Sequence, residues 1–508
     1  MNKWKDYVLW WIPFIMAGII YFYFLPVKTT VIYGDDVRNY MLHEGLSGFF
    51  DKINMELAFK KFRPIHGLST HLVIYFFQKN LYYYYLFNVG VQTLNALLFA
   101  MLLNLFLKAR WLSLFFSLLV ALSRFSVFNM NQLLNGGVLE GLAKTFFFLS
   151  LFFILKTLMD PDPDVSKKMK RMILSILFAN LSMYTHERYI MIFPFILLLL
   201  LFYPGLRSMA FRQRLLLLSM VGASMILNIA IKKYMFSIPF FMGTANTPIS
   251  FSLSQSLTFF MHAVAMILHI NNFLYLSLPQ KALILVLFTW FTGVFWNYLR
   301  RPAPERLIFL FLAGLFILLL IPAVVTVVLS DRWLQASFNV FILMIAMALP
   351  EMRAANKVFG RFSAPVFILL LLWIDYTSYH FNNVKRDDSK KVHFIFERAI
   401  RNGIIRENAE KLVIVGTYGN VYDPEIRWKL GHGAFFGFYQ HKSKQLIFTD
   451  SLSKVSFLPP FPPFDRNTWQ VISIRDEIKD LTKEIPPPAS APYNQASFPG
   501  DGFQWPAR

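Results

Sequence analysis

Two adjacent carboxylates, Asp35 and Asp36, stand in YGDDVRNY (Tyr33–Tyr40), directly after the first long apolar run. A glycine precedes them and Arg38 follows within reach. A carboxylate at a low-dielectric boundary has its pKa raised toward that of a useful general base. The pair is also suited to ligating a metal, a divalent cation. Neighbouring acids rarely point the same way, so one is expected to work and the other to be structural or a ligand. Asp36, further from the membrane exit, is the favoured base. The competing reading is two solvated acids at a helix end.

A second group is Thr185-His186-Glu187-Arg188, which interrupts an otherwise apolar hairpin. Glu140, in GGVLEGLAKT, sits near the start of an apolar span, where an acid is functional or partnered by default. Arg124 is a candidate partner for it. Six cations fall at outer membrane boundaries in the topology given below: Arg63, Arg124, Arg188, Lys232, Lys233 and Arg332. The bias that places basic loops in the cytoplasm does not account for them. Arg suits bidentate phosphate contacts and Lys supplies a point charge, so together they suit a phosphorylated lipid entering from the outer leaflet. Snorkelling to head groups competes for each cation taken singly. Asn246, Asn271 and Asn272 are candidates for sugar hydroxyls, against an ordinary loop role.

The elements that hold these residues are membrane helices. The chain has 508 residues, 56% of them hydrophobic and 16% charged. Several apolar runs reach the length of about 18 residues that reads as a span, and lipid demands that they be helical. The net charge of +21 raises nucleic acid as a partner. Most Lys and Arg lie in short clusters between apolar runs, however, where topology and anionic lipid explain them. Cysteine is absent, which excludes disulfides, thiol chemistry and cysteine-ligated zinc. The N-terminus reads as an uncleaved signal-anchor helix.

Spans are expected at about 8–25, 82–107, 111–128, 138–158, 172–184, 190–203, 215–231, 282–298, 307–329, 333–349 and 364–379. The segment 256–276 is apolar enough to enter the membrane. The basic loops at 108–110, 167–171, 207–214, 300–306 and 353–361 share one side only if that segment does not cross. This gives about eleven spans, with the first loop (26–81), His186, Glu187 and Arg332 on the outer face. DPDPDVSKKMKRM (160–172) reads as a charged loop, and Leu57–Phe62 as a short amphipathic piece. The fold class is therefore all-α and polytopic over residues 1–382, followed by a small soluble α/β domain over 383–508. That domain has strands near Lys411–Gly419 and Lys444–Asp450, then a Pro-rich tail from Phe457. No repeat of fixed period is visible.

Three stretches carry a resemblance. The first is FRPIHGLSTHLVIYFFQKNLYYYYLFNVGVQTLNALLFAMLL (Phe62–Leu103), with Arg63-Pro64, Asn88 and Asn95. The second is THERYIMIFPFILLL (Thr185–Leu199), with Glu187 and Pro194. The third is SDRWLQASFNVFIL (Ser330–Leu343), with Arg332. In this order they resemble polytopic GT-C fold glycosyltransferases that use lipid-linked sugars: protein O-mannosyltransferases, their TPR-linked relatives and the aminoarabinose transferase superfamily. His186 stands where that group has lysine, and no acid precedes Glu140 in the patch after span three. The resemblance implies Asp35 or Asp36 as base or metal ligand, with Glu187 beside them. It implies Arg63, Arg188, Lys232, Lys233 and Arg332 on the lipid phosphate, with Glu140, His186 and Arg124 in support.

The function expected is inverting transfer of a sugar from a polyprenyl-phosphate donor to an acceptor hydroxyl of a glycan, lipid or protein. Transfer is expected at the outer face of a bacterial inner membrane. The alternatives are a transporter or flippase of a lipid-linked anion, and an assembly subunit with a degenerate site.

Overall fold

A computed structural model describes residues 31–160, 164–207, 209–238, 252–268, 270, 277–300, 303–326, 329–355, 365–366, 369–370, 373, 391–416, 423–449, 452–457, 464–474 and 477–485. The chain forms two compact units, Met1–His393 and Phe394–Arg508.

The first unit is helical. Gly34, at φ 59°, turns the chain into α1 (Asp35–Gly45), a conformation that a side chain would strain. Both aspartates thereby enter the first turn of α1, where carboxylates complement the helix dipole. Short α2 (Phe49–Ile53) and a 3₁₀ turn (Met55–Phe59) lead to α3 (Pro64–Phe77). Pro64 opens α3, where a missing N–H costs nothing. α4 (Leu81–Leu107) starts at Asn80, whose side chain accepts from the Tyr82 N–H, and stops at Lys108, φ 50°. α5 (Arg110–Ala121) and α6 (Arg124–Asn131) follow. A π-helical turn, Asn135–Gly141, then runs into α7 (Leu142–Met159).

α8 (Val165–Thr185) is capped by Asp164, whose carboxylate accepts from the Ser166 and Lys167 N–H groups. A 3₁₀ turn, Glu187–Met191, joins it to α9 (Ile192–Phe202). α10 (Phe211–Ala230) ends in a second π turn, Ile231–Met235. The helices α11 (Leu253–Ile267), α12 (Leu278–Leu299), α13 (Ala303–Val325) and α14 (Asp331–Ala355) complete the described bundle. Its core is aliphatic and aromatic, with Phe99 stacked on Phe148 and Phe125 on Phe338.

Among the described residues, six helical segments are long and apolar enough to cross a membrane, the make-up of a multi-pass membrane protein. They are Leu81–Leu107, Asn135–Met159, Phe211–Met235, Lys281–Leu299, Arg306–Val325 and Asp331–Leu349. The last is almost wholly buried, whereas Phe211–Met235 and Lys281–Leu299 expose most of their surface. The span expected at 8–25, and most of that at 364–379, lie outside the described residues, as do Asn246, Asn271 and Asn272.

Three sequence expectations differ from the structure. The span expected at 111–128 is two helices, broken between Ala121 and Arg124. Residues 165–172, read as loop, form the first turns of α8, because a helix that runs out into water carries charges without ceasing to be a helix. The Leu57–Phe62 piece is in part a 3₁₀ turn, and the longer α3 follows it. In the ambiguous segment, α11 has 15 residues. That is about 22 Å of helix, short of the roughly 30 Å hydrocarbon core.

The second unit carries a four-stranded sheet in the order β2-β1-β3-β4, built from β1 (Lys411–Val415), β2 (Gln445–Thr449), β3 (Trp469–Ile474) and β4 (Ile478–Asp480). β1 lies parallel to both β2 and β3, with Lys411 opposite Gln445 and Trp469, while β4 is antiparallel to β3. β1 and β2 fall where the alternation of apolar residues placed strands. β3 and β4 fall in the stretch read as Pro-rich tail.

Candidate functional site

The site is built from the first turn of α1, the loop before α3, the turn between α8 and α9, the end of α10 and the start of α14. The two aspartates do different things. Asp36 is fully buried, and its carboxylate accepts three backbone N–H bonds: Leu133 at 2.5 Å, Leu134 at 3.1 Å and Asn135 at 2.8 Å. Burial pushes the carboxyl up to about 7, against the three donors that pull it down. Asp35 is half-buried, and its carboxylate makes no hydrogen bond or ion pair among the described residues.

Glu56 and Lys61 join these acids, and neither was among the residues singled out in the sequence. Buried Glu56 forms an ion pair with Arg63, Oε2 to Nη1 at 3.0 Å, and its other oxygen lies 3.1 Å from His66 Nδ1. Burial alone would raise its carboxyl, but Arg63, His66 and Lys61 hold it well below the usual carboxylate range. Lys61 is half-buried and, like Asp35, forms no side-chain hydrogen bond or ion pair among the described residues. Burial and Arg63 lower its ammonium, while Glu56, Glu187 and Asp35 pull it back up. The signal available in the sequence was the dipeptide Lys60-Lys61, just before FRPI in a loop otherwise assigned to the outer face.

Glu187 Oε1 accepts from the Phe62 N–H at 3.0 Å and forms an ion pair with Lys232 Nζ at 3.1 Å. Lys232 is buried by the π turn that ends α10, whereas Lys233 is exposed and lies over the Tyr234 ring. The two neighbouring lysines are thus split, one turned to Glu187 and one away.

Glu140 is buried on the other side of the cluster, 3.4 Å from both Arg188 Nη2 and His186 Nε2. Arg188 Nη1 donates to the Arg332 carbonyl at 2.9 Å, and its guanidinium lies over the Trp333 ring. Arg124 does not reach Glu140. It pairs with Asp331 at 3.4 Å and donates to the Met266 carbonyl at 2.9 Å, joining α6 to α14 and α11.

The turn bearing Glu140 is held by asparagines. Asn39 Nδ2 donates to Asn135 Oδ1, Asn88 Nδ2 to the Gln132 carbonyl, and Asn95 Nδ2 to the Gly141 carbonyl, each at 2.9 Å. The packing admits only glycine at 137, where a Cβ would lie 1.7 Å from Asn88 Oδ1. Asn88 and Asn95, part of the sequence resemblance, therefore act on this turn.

Of the two acids expected to ligate a metal, Asp36 is already engaged by backbone donors. No three His, Asp or Glu side chains come together among the described residues. What the arrangement offers is a carboxylate and an ammonium, Asp35 and Lys61, with no hydrogen-bond or ion-pair partner among the described residues, and several guanidinium and ammonium groups already oriented by acids.

No family model matches the chain, and no curated protein matches it. ArnT from Cupriavidus metallidurans is similar to it in two crystal structures. Both are 12% identical in sequence, and each match covers 93% of this chain and 93% of ArnT. The TM-score is 0.50 for the apo state and 0.46 for ArnT bound to undecaprenyl phosphate. The likeness to the apo structure shows the fold: the chain has the GT-C architecture that its sequence resembles.

Proposed function

We propose that the chain is a membrane glycosyltransferase. It takes a sugar from a polyprenyl-phosphate donor and passes it to an acceptor hydroxyl at the extracytoplasmic face of the inner membrane. The observation that carries this reading is a carboxylate, Asp35, and an ammonium, Lys61, that feel each other electrostatically and have no hydrogen-bond or ion-pair partner among the described residues, in a site several of whose other cations are held by acids. The GT-C fold supports it.

In this mechanism Asp35 takes the proton from the acceptor hydroxyl as its oxygen attacks the anomeric carbon. The bond from that carbon to the phosphate oxygen breaks on the opposite side, so the configuration inverts. The departing phosphate gathers negative charge, and Lys61, Arg63 and Arg332 stabilise it. Glu187 holds Lys232 and the Phe62 N–H, keeping the loop that bears Lys61 and Arg63 in register. Asp35 thus replaces Asp36 as the favoured base, because Asp36 accepts three backbone N–H bonds while the Asp35 carboxylate has no hydrogen-bond or ion-pair partner among the described residues.

The test is incubation of the purified full chain with a polyprenyl-phosphate sugar and either water or an acceptor. Release of polyprenyl phosphate is expected. Passage of intact donor lipid across a vesicle membrane, without release, would overturn the reading in favour of a flippase.

A further inference from the structure

We infer that Asp36 is a positioning residue, tying the helix that carries Asp35 to the backbone that carries Glu140 and, through it, to the cations of the site. The connection is continuous. Asp36 in α1 accepts from Leu133, Leu134 and Asn135. Asn135 opens the π turn in which Glu140 lies, and Glu140 holds Arg188. Arg188 in turn donates to the Arg332 carbonyl. Asn39, one turn along α1 from Asp36, reinforces the junction by donating to Asn135 Oδ1 at 2.9 Å.

The chemistry of the junction is one-sided. Three N–H donors converge on one carboxylate, and only an acceptor-only group satisfies all of them. Asparagine has nearly the same shape but turns an NH₂ donor toward at least one of those N–H groups. A buried N–H left without an acceptor is costly. The sequence places the two acids side by side, and the helix separates their tasks. Asp36 is held by the buried backbone, while Asp35, its neighbour on α1, acts electrostatically on Lys61, so a displacement of α1 moves Asp35 relative to that lysine.

What Asp35 does there rests on the transferase reading, but the tie itself does not. Two measurements therefore separate the two claims. Hydrogen–deuterium exchange of the purified full chain reads the tie directly. Asp36→Asn is expected to speed exchange at residues 133–135 by about 10- to 100-fold, the loss of a hydrogen bond to a charged group. Asp35→Asn is expected to leave exchange there unchanged. Asn39→Ala is expected to shift the same amides by a smaller factor, and it tests the junction if Asp36→Asn does not accumulate. Turnover with a polyprenyl-phosphate sugar is the second measurement. Asp36→Asn is expected to lower kcat while retaining activity, and Asp35→Asn to abolish it.

Unchanged exchange at 133–135 in both Asp36→Asn and Asn39→Ala overturns the positioning role. So does complete loss of turnover in Asp36→Asn with unchanged exchange, which would make Asp36 itself the base. Absence of turnover in the wild-type chain overturns the transferase reading alone, since the exchange result stands without it.

Discussion

Glu187 Oε1 lies 3.1 Å from Lys232 Nζ, joining the turn after α8 to the π turn that ends α10. Lys233, the next residue, is exposed over Tyr234. Adjacent side chains on a helical turn point in different directions, and here one lysine meets Glu187 while the next stays in the open. Lys232→Ala is expected to lower donor turnover by about tenfold or more through loss of a charged hydrogen bond. Lys233→Ala is expected to stay within about twofold, as for a surface change. The comparison is made by polyprenyl phosphate release, and equal loss in both variants would contradict the geometry.

Under the proposed mechanism, Lys61 and Asp35 divide binding from chemistry. Lys61→Ala removes a point charge from the donor phosphate and is expected to weaken donor binding by about 10- to 100-fold. Asp35→Asn is expected to leave donor binding intact and to cut turnover by about 10²- to 10⁴-fold, the loss of a general base. Equilibrium binding of a polyprenyl-phosphate lipid, read beside turnover, separates the two effects. The assignment of roles falls if Asp35→Asn loses binding and Lys61→Ala keeps it.

The buried Glu140–Arg188 pair is expected to matter for stability before catalysis. Removing one member leaves the other charge unpaired in a low-dielectric interior, at a cost of about 3–5 kcal/mol. Arg188→Ala should therefore lower the thermal transition in detergent sharply. Lys233→Ala, in the same assay, should not. A transition unmoved by Arg188→Ala would mean that the pair is solvated rather than buried.

How much of this was legible in the sequence depends on distance along the chain. The long helix Leu81–Leu107 was read within a residue at either end, because one apolar run and its polar flanks mark it. The cations at 63, 124, 188 and 232 also stand out in the sequence as a group needing explanation. Pairing was the part not seen. Arg63, Arg124, Arg188 and Lys232 each have a carboxylate in Glu56, Asp331, Glu140 and Glu187. Apart from Arg63 and Glu56, those partners lie on separate elements brought together only by packing, so neither snorkelling nor phosphate binding alone describes them. The split between Asp35 and Asp36 was hidden for the same reason. The amides that occupy Asp36 are 97 to 99 positions away in the chain. Lys61 was overlooked because a lysine beside a lysine in a polar loop carries no local pattern. Only its neighbours on other elements distinguish it.

The first outer segment should respond to acid through His43. Its Nε2 lies 2.9 Å from His71 Nδ1, joining α1 to α3, and its ring is buried. Burial, Lys52 and His71 together push His43 from 6.5 down to about 4. The folded segment therefore binds this proton less readily than the unfolded one does. His43 contributes stability in full above pH 6.5, and that contribution drains away as pH falls toward 4. Amide exchange within α1 and α3, corrected for its intrinsic pH dependence, should be slow and constant above pH 6.5 and should quicken progressively below it. His43→Gln keeps a polar side chain but cannot take up the proton, so it should flatten this dependence while leaving exchange near pH 7.5 little changed. If the wild-type segment is equally protected at pH 7.5 and pH 4.5, His43 is not the group that couples it to acid.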